Sequence, residues 1–231
     1  SVEDLTTSVD MVYPVLRQIE ELELPLVMVE NVPGFESSQA GQILQSMLRR
    51  WGFHVTNMVV DARDYGGIQG RKRYYMVASL FPGFEPPQPK PRSGASIWPI
   101  VERHLDECRD ITDTSAIRNR ASARGVAALI TPESTDCPTF LKSQDRGVKD
   151  AVYVWDGQRY YAPSEGLIQE LMSIPGDFDT SWMGKEQAIE TLGQSIDYSL
   201  HHQVMSSVKE HLQANLGPGP VLRHNAQQSL L

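Results

Sequence analysis

Residues 26–35 read LVMVENVPGF, and residues 64–79 read DYGGIQGRKRYYMVAS. In the first stretch, four apolar residues stop on an acid and an amide, Glu30 and Asn31. A short apolar run bounded by turn formers predicts a strand buried on both faces of a parallel sheet. In the second, Gln69, Arg71, Lys72 and Arg73 precede an aromatic run that reads as another strand. Ligands of an open α/β sheet bind beyond the carboxyl ends of its strands. Glu30 and Asn31 therefore stand where a functional carboxylate belongs, although ENVPG taken alone reads equally well as a polar turn.

Working outward, Val9, Val12, Leu16 and Ile19 recur at helical spacing up to Leu22, which places Pro14 near the first turn, where proline is tolerated. Gln39 to Trp51 predicts a second amphipathic helix, with Ile43, Met47 and Trp51 on one face and Gly52 as its stop. FHVTNMVV and RYYMVAS then read as two strands joined by the glycine-rich turn DYGGIQG. Strand, helix, strand, strand is the trailing part of an open α/β sheet. FPGFEPPQPKPRSG, with its repeated prolines, marks an exit into a separate unit. AVYVWDGQRYY predicts a hairpin closing on Asp156-Gly157. Beyond it come a helix ending at the Pro-Gly of SIPGDF, a further helix, a break centred on Gly193 and a final amphipathic helix. From Asn215 onward no apolar period remains, and disorder is expected.

Composition narrows the function classes. With 40% hydrophobic residues the chain can bury a sizeable core, and a net charge of −8 weighs mildly against a dedicated polyanion binder. Local basic islands temper that: Arg71–Arg73, Lys90–Arg92, and the run from Arg118 through Arg120 to Arg124. A solvated helix face is the ordinary reading of each. No run is long enough for a transmembrane helix, and the two cysteines lack metal-ligand spacing, which points to a reducing cytoplasm and to no metal site.

The ordered set ENV at Glu30–Val32, QGRKR at Gln69–Arg73, CPTF at Cys137–Phe140, SIPGDF at Ser173–Phe178 and LGQSIDYSLHHQV at Leu192–Val204 resembles the cytosine carbon-5 DNA methyltransferase family. The resemblance implies the C-terminal part of a doubly wound, Rossmann-like α/β methyltransferase sheet, with a small irregular target-recognition domain. It implies S-adenosylmethionine as methyl donor, double-stranded DNA as substrate, and a cytoplasmic, restriction-modification setting in a prokaryote or phage. Glu30 would support the ring nitrogen N3 of a flipped-out cytosine, and Arg73 would bond its O2 and orient Glu30. Arg71 would steady the catalytic loop, Asn31 would buttress it, and Gln69 would hold the turn. Gly193, Gln194 and Ser195 would approach the methyl donor. Thr139, Arg118, Arg120 and Arg124 would contact DNA.

The sequence also departs from the family. Gln194 replaces the usual asparagine, and Asp197-Tyr198 stands where two prolines are common. The glycine-rich methyl-donor loop, the acidic ribose ligand and the Pro-Cys nucleophile motif do not occur, since neither Cys108 nor Cys137 follows a proline. The expectation is therefore the C-terminal portion of such an enzyme, inactive alone and completed by an N-terminal half on the same longer chain or a separate subunit. The expected divisions are 1–82 for the second half of the catalytic domain, 83–150 for target recognition, 151–214 for a return to the catalytic domain, and a tail at 215–231. The alternatives are a non-catalytic recognition subunit of a split methyltransferase, an RNA cytosine methyltransferase fragment, and a degenerate remnant.

Overall fold

The computed structural model describes residues 10–115, 117, 128–144 and 151–217. Helix α1 (Val12–Glu21) buries Val12, Leu16 and Ile19, and Pro14 lies in its first turn as expected. Strand β1 (Leu26–Asn31) follows, then a 3-10 turn over Pro33–Ser37 and helix α2 (Gln39–Arg50). Ser38 caps α2 by accepting from the Gly41 N–H at 3.1 Å, which satisfies one of the otherwise unpaired first-turn donors. Gly52, at φ +89°, ends this segment in the left-handed region. The buried face of α2 is rotated from its expected position. Ala40, Leu44 and Leu48 are buried, while Ile43, Met47 and Trp51 are half-buried and pack against that cluster.

Strands β2 (His54–Asp61) and β3 (Lys72–Ser79) form the expected hairpin across the glycine-rich turn. The sheet order is β1-β3-β2, with β3 antiparallel to both neighbours, so β1 and β2 run parallel with β3 between them. This corrects the reading of β1 as a strand paired in parallel and buried on both faces. It pairs with β3 alone among the described residues, and only Val27 is fully buried along it. An apolar run shows that a strand is sheltered but carries no information about its direction or about which edge it occupies.

Alternation along β3 sorts the layers. Tyr74, Met76 and Ala78 meet α1 and α2 on one face, and Tyr75 meets the last helix on the other, giving a helix–sheet–helix sandwich. After an irregular stretch from Phe81 to Ser96 comes helix α3 (Trp98–His104). A small second sheet of order β4-β7-β6-β5 contains β4 (Arg109–Asp110), β5 (Leu129–Ile130), β6 (Tyr153–Trp155) and β7 (Tyr160–Ala162). Two of its strands precede residue 150 and two follow it, so the 83–150 and 151–214 stretches share this sheet. The β6–β7 turn lies one residue beyond its expected place. The Asp156 N–H donates to the Arg159 carbonyl at 3.2 Å, so Gly157-Gln158 is the central pair, with Gly157 at φ +100°.

Helices α4 (Glu165–Leu171) and α5 (Lys185–Gln194) close a second core with α3, around Phe140, Ile168 and Leu192. Helix α6 (Tyr198–Leu216) then returns to the first sheet. The break between α5 and α6 falls at Ser195–Asp197 rather than on Gly193, which lies inside α5. Asn215 and Leu216 are still helical and Gly217 caps them, and the expected tail from residue 218 on lies outside the described residues.

Candidate active site

Register and pleat assemble the site. Glu30 lies opposite Tyr75 across the β1–β3 ladder, so its side chain shares a face with Tyr75 and, two residues back along β3, with Arg73. Arg73 Nε meets Glu30 Oε1 at 3.0 Å, and both side chains keep partial exposure, 17% and 22%. The acid and the cation are therefore paired and still reachable from solvent. Burial raises the pKa of Glu30 above the usual carboxylate value, against the lowering pull of Arg73 and Arg71. Such a carboxyl holds its proton more readily than an exposed one while remaining next to a fixed positive charge.

Arg71 behaves differently from its exposed neighbour Lys72. It is 2% exposed. Its Nη1 donates to the Phe140 carbonyl at 3.1 Å, and its Nη2 donates to the carbonyls of Gly193 at 3.1 Å and Ser195 at 2.6 Å. One guanidinium thus ties the start of β3 to the loop after Cys137 and to the α5–α6 junction. Burial lowers its pKa to about 10, with Arg73 adding to the fall and Glu30, Asp197 and Tyr75 opposing it. Gln69 is wholly buried and accepts weakly from Arg71 Nη1 at 3.4 Å. Around it, Gly70 N–H donates to the Cys137 carbonyl at 2.8 Å and Cys137 N–H to the Ile68 carbonyl at 3.1 Å, so the QGR segment is stitched to the CPTF segment.

The remaining sequence-derived residues have specific places. Asn31 Oδ1 accepts from the Val32 N–H at 2.8 Å and shapes the turn behind Glu30. Thr139 donates its hydroxyl to the Gly70 carbonyl, so that group is engaged inside the chain. Gly193 and Ser195 give their carbonyls to Arg71, and the Ser195 hydroxyl donates back to Leu192 at 2.7 Å. Gln194 is exposed and donates to Glu190 at 3.1 Å. Of these three, only Gln194 offers a side chain outward to a methyl donor, so the fit of this segment to that group is partial. Arg118, Arg120 and Arg124 lie outside the described residues. Cys137 is fully buried and its thiol pKa is pushed up by that burial, opposite to what a nucleophile needs. Among the described residues no cluster of histidine, cysteine or carboxylate could hold a metal ion, and no helix is long and apolar enough to cross a membrane.

Residues 3–83 match the family model described as C-5 cytosine-specific DNA methylase. This is the stretch that builds β1, β3 and the Glu30–Arg73 pair. Over these residues the chain is similar to the C-5 cytosine-specific DNA methylases. It is similar to the type II methyltransferase M.MspI of a Moraxella species, at 26% identity over 80% of this chain and 46% of the relative. It is also similar to the type II methyltransferase M.NlaX of Neisseria lactamica, at 25% identity over 80% of this chain and 62% of that relative. The chain thus spans about half to three-fifths of the lengths of these two relatives. Among solved structures, the Dnmt2 methyltransferase of S. pombe superposes with a TM-score of 0.71 at 17% identity, covering 90% of this chain and 72% of that one. The methyltransferase EhMeth of Entamoeba histolytica gives a TM-score of 0.71 at 16% identity, covering 81% and 63%. These likenesses establish the α/β, Rossmann-like methyltransferase fold.

Two site features were missed from the sequence. Gly193 looked like a helix break, yet a Cβ there would lie 2.3 Å from the Leu141 carbonyl oxygen and 2.6 Å from its carbon. Glycine is needed because backbone passes against backbone, an approach that no local pattern reveals. Gly193→Ala should therefore shift the α5–α6 junction and loosen Arg71, lowering stability by about 2–4 kcal/mol. Thermal melting checks this; a variant melting with the parent chain would contradict the close approach. The second missed feature is Asp197, fully buried at the start of α6.

Proposed function

We propose that the chain is the C-terminal portion of an S-adenosylmethionine-dependent DNA cytosine-5 methyltransferase, supplying the groups that hold the target base. The observation that carries this reading is the Glu30–Arg73 pair, 3.0 Å apart and open to solvent at the carboxyl end of β1. Carbon-5 of cytosine is a poor nucleophile until a thiolate adds at carbon-6, and that addition drives negative charge onto N3. A carboxyl that retains its proton can donate to N3 as the charge grows, which is the form of stabilisation that accelerates a reaction most. Arg73, with its planar fork of donors, can bond the adjacent carbonyl O2 while holding the carboxyl in place. A base inside a duplex exposes neither edge freely, so the reading requires an extruded base.

Arg71 acts one layer deeper, keeping the QGR turn, the CPTF segment and the α5–α6 junction at fixed separation. The methyl donor supplies an electrophilic methyl group when bound, and Gln194, the exposed side chain of this region, would approach it. The thiolate would come from the Pro-Cys motif of an N-terminal half, because the raised pKa and burial of Cys137 unfit it for the role. To test substrate class, the chain combined with a fragment carrying the methyl-donor loop and Pro-Cys motif is offered duplex DNA and structured RNA. Labelled 5-methylcytosine in the DNA is expected. Labelling confined to RNA, or at an exocyclic nitrogen, would refute the reading.

A further inference from the structure

Arg63 lies in the 3-10 turn Ala62–Tyr65 that leaves β2, and its guanidinium is held at all three nitrogens. Nε donates to Asp61 Oδ1 at 3.1 Å and Nη2 to Asp61 Oδ2 at 2.8 Å, a bidentate fork on a carboxylate only 6% exposed. Nη1 donates to Asp136 Oδ2 at 3.2 Å, far along the chain. Burial pushes the pKa of Asp61 up, but the bonds and charge of Arg63 outweigh it and hold the carboxyl below its usual value. The face of the guanidinium meets Gly70. A Cβ there would lie 3.3 Å from Cζ and 3.5 Å from Nε and Nη1. An isolated surface ion pair contributes little. A fork tied to two carboxylates, with backbone passing against its face, is fixed in space.

What it holds is the mouth of the β2–β3 hairpin. Asp61, the last residue of β2, lies opposite Lys72, and Val60 lies opposite Arg73. The Ala62 N–H donates to the Arg71 carbonyl at 3.1 Å. Asp136 adjoins Cys137, whose backbone is bonded to Ile68 and Gly70. Arg63 itself lies outside every motif that carried the family resemblance. We infer that Arg63 is a positioning residue: by bridging Asp61 and Asp136 across Gly70, it locks the QGR turn between the end of β2 and the CPTF segment, and so sets where Arg73 meets Glu30. The inference rests on the proposed role of that pair. Lysine cannot take its place, because one ammonium cannot engage both Asp61 oxygens and also reach Asp136. The Asp136 side chain is 44% exposed, so this arm of the bridge can be removed without emptying a core.

The test combines substitutions at three positions. In the complex completed with the N-terminal fragment, Arg63→Ala should lower kcat by roughly 10–100-fold with an unchanged KM for DNA, and Arg63→Lys should not restore it. Asp136→Ala should lower kcat less, since the fork on Asp61 remains, and should add nothing in the Arg63→Ala background. Gly70→Ala should lower kcat while the guanidinium is held against it, and should cost nothing further once Arg63→Ala has opened the space. Independent effects in either double variant, recovery by Arg63→Lys, or a loss seen in KM instead of kcat would overturn the inference. Should Arg63→Ala fail to fold, parental kcat in both Asp136→Ala and Gly70→Ala would overturn it equally. In the chain alone, thermal melting of the same set should show the same non-additivity, whatever the complex does; additive shifts would show that Arg63 bridges nothing. Glu30→Gln, measured alongside, separates the two claims. If it lowers kcat and the Arg63 variants do not, the inference alone fails. If Glu30→Gln leaves kcat unchanged, the role of the pair fails and the positioning role falls with it.

Discussion

Glu30→Gln in the completed enzyme is expected to reduce methyl transfer by about 10²–10⁴-fold while DNA binding changes only a few-fold. The amide is nearly isosteric and can still accept from Arg73 Nε, so the geometry of the pair, 3.0 Å in the parent chain, should survive. What disappears is a group able to give a proton toward N3 as negative charge develops there. An interaction made only in the transition state lowers kcat and leaves ground-state affinity alone. Single-turnover transfer of labelled methyl, beside a binding titration on the same duplex, measures both. Unchanged turnover would return Glu30 to the role of a polar residue after a strand.

The second large effect is on folding. Arg71→Ala removes the only donor to the Phe140, Gly193 and Ser195 carbonyls that the described side chains provide, and it opens a space where a large side chain was buried. Leaving buried acceptors without partners typically costs ~1–3 kcal/mol each, and a total of about 3–5 kcal/mol is expected once the chain relaxes. That is a large part of the roughly 5–15 kcal/mol that keeps a domain folded. Arg71→Lys should recover little, since a single ammonium cannot span three carbonyls on two segments. Denaturant unfolding of the chain is the measurement. A midpoint within error of the parent's would show that Arg71 does not join those segments.

The candidate site was legible in the sequence because its two halves are each local. An acid after an apolar run and a cationic cluster before an aromatic one need only be brought to one sheet face, and the Glu30–Tyr75 register does that. The hairpin of β2 and β3 was legible for the same reason. What sequence could not carry was depth. Arg71, Lys72 and Arg73 read as one basic island, yet Arg71 is buried, Lys72 is exposed and Arg73 lies between. Alternation separates Lys72 from its neighbours, but the burial of Arg71 comes from Phe140, Gly193 and Ser195, far along the chain. Asp197 stood out only as a residue in an unusual place. Its full burial and the close approach of Gly67 come from the packing of α6 on the glycine-rich turn, which no local pattern shows. The direction of β1 likewise depends on β3 arriving between β1 and β2, which is topology rather than pattern.

Strand β1 keeps one unpaired edge among the described residues. Met28, Val29 and Glu30 are only half-buried, and the strand pairs on one side alone among the described residues. A strand with an open row of backbone donors and acceptors is a template for another strand. On the present account the N-terminal half of the methyltransferase supplies it, along with the thiolate and the methyl-donor loop. The most direct test is to titrate the purified chain with a fragment holding the glycine-rich and Pro-Cys motifs, following sedimentation and methyl transfer together. The account predicts a chain that transfers no methyl group alone, a one-to-one complex on mixing, and 5-methylcytosine formed only by that complex. A chain that ignores the fragment, or that methylates DNA without it, would contradict the account.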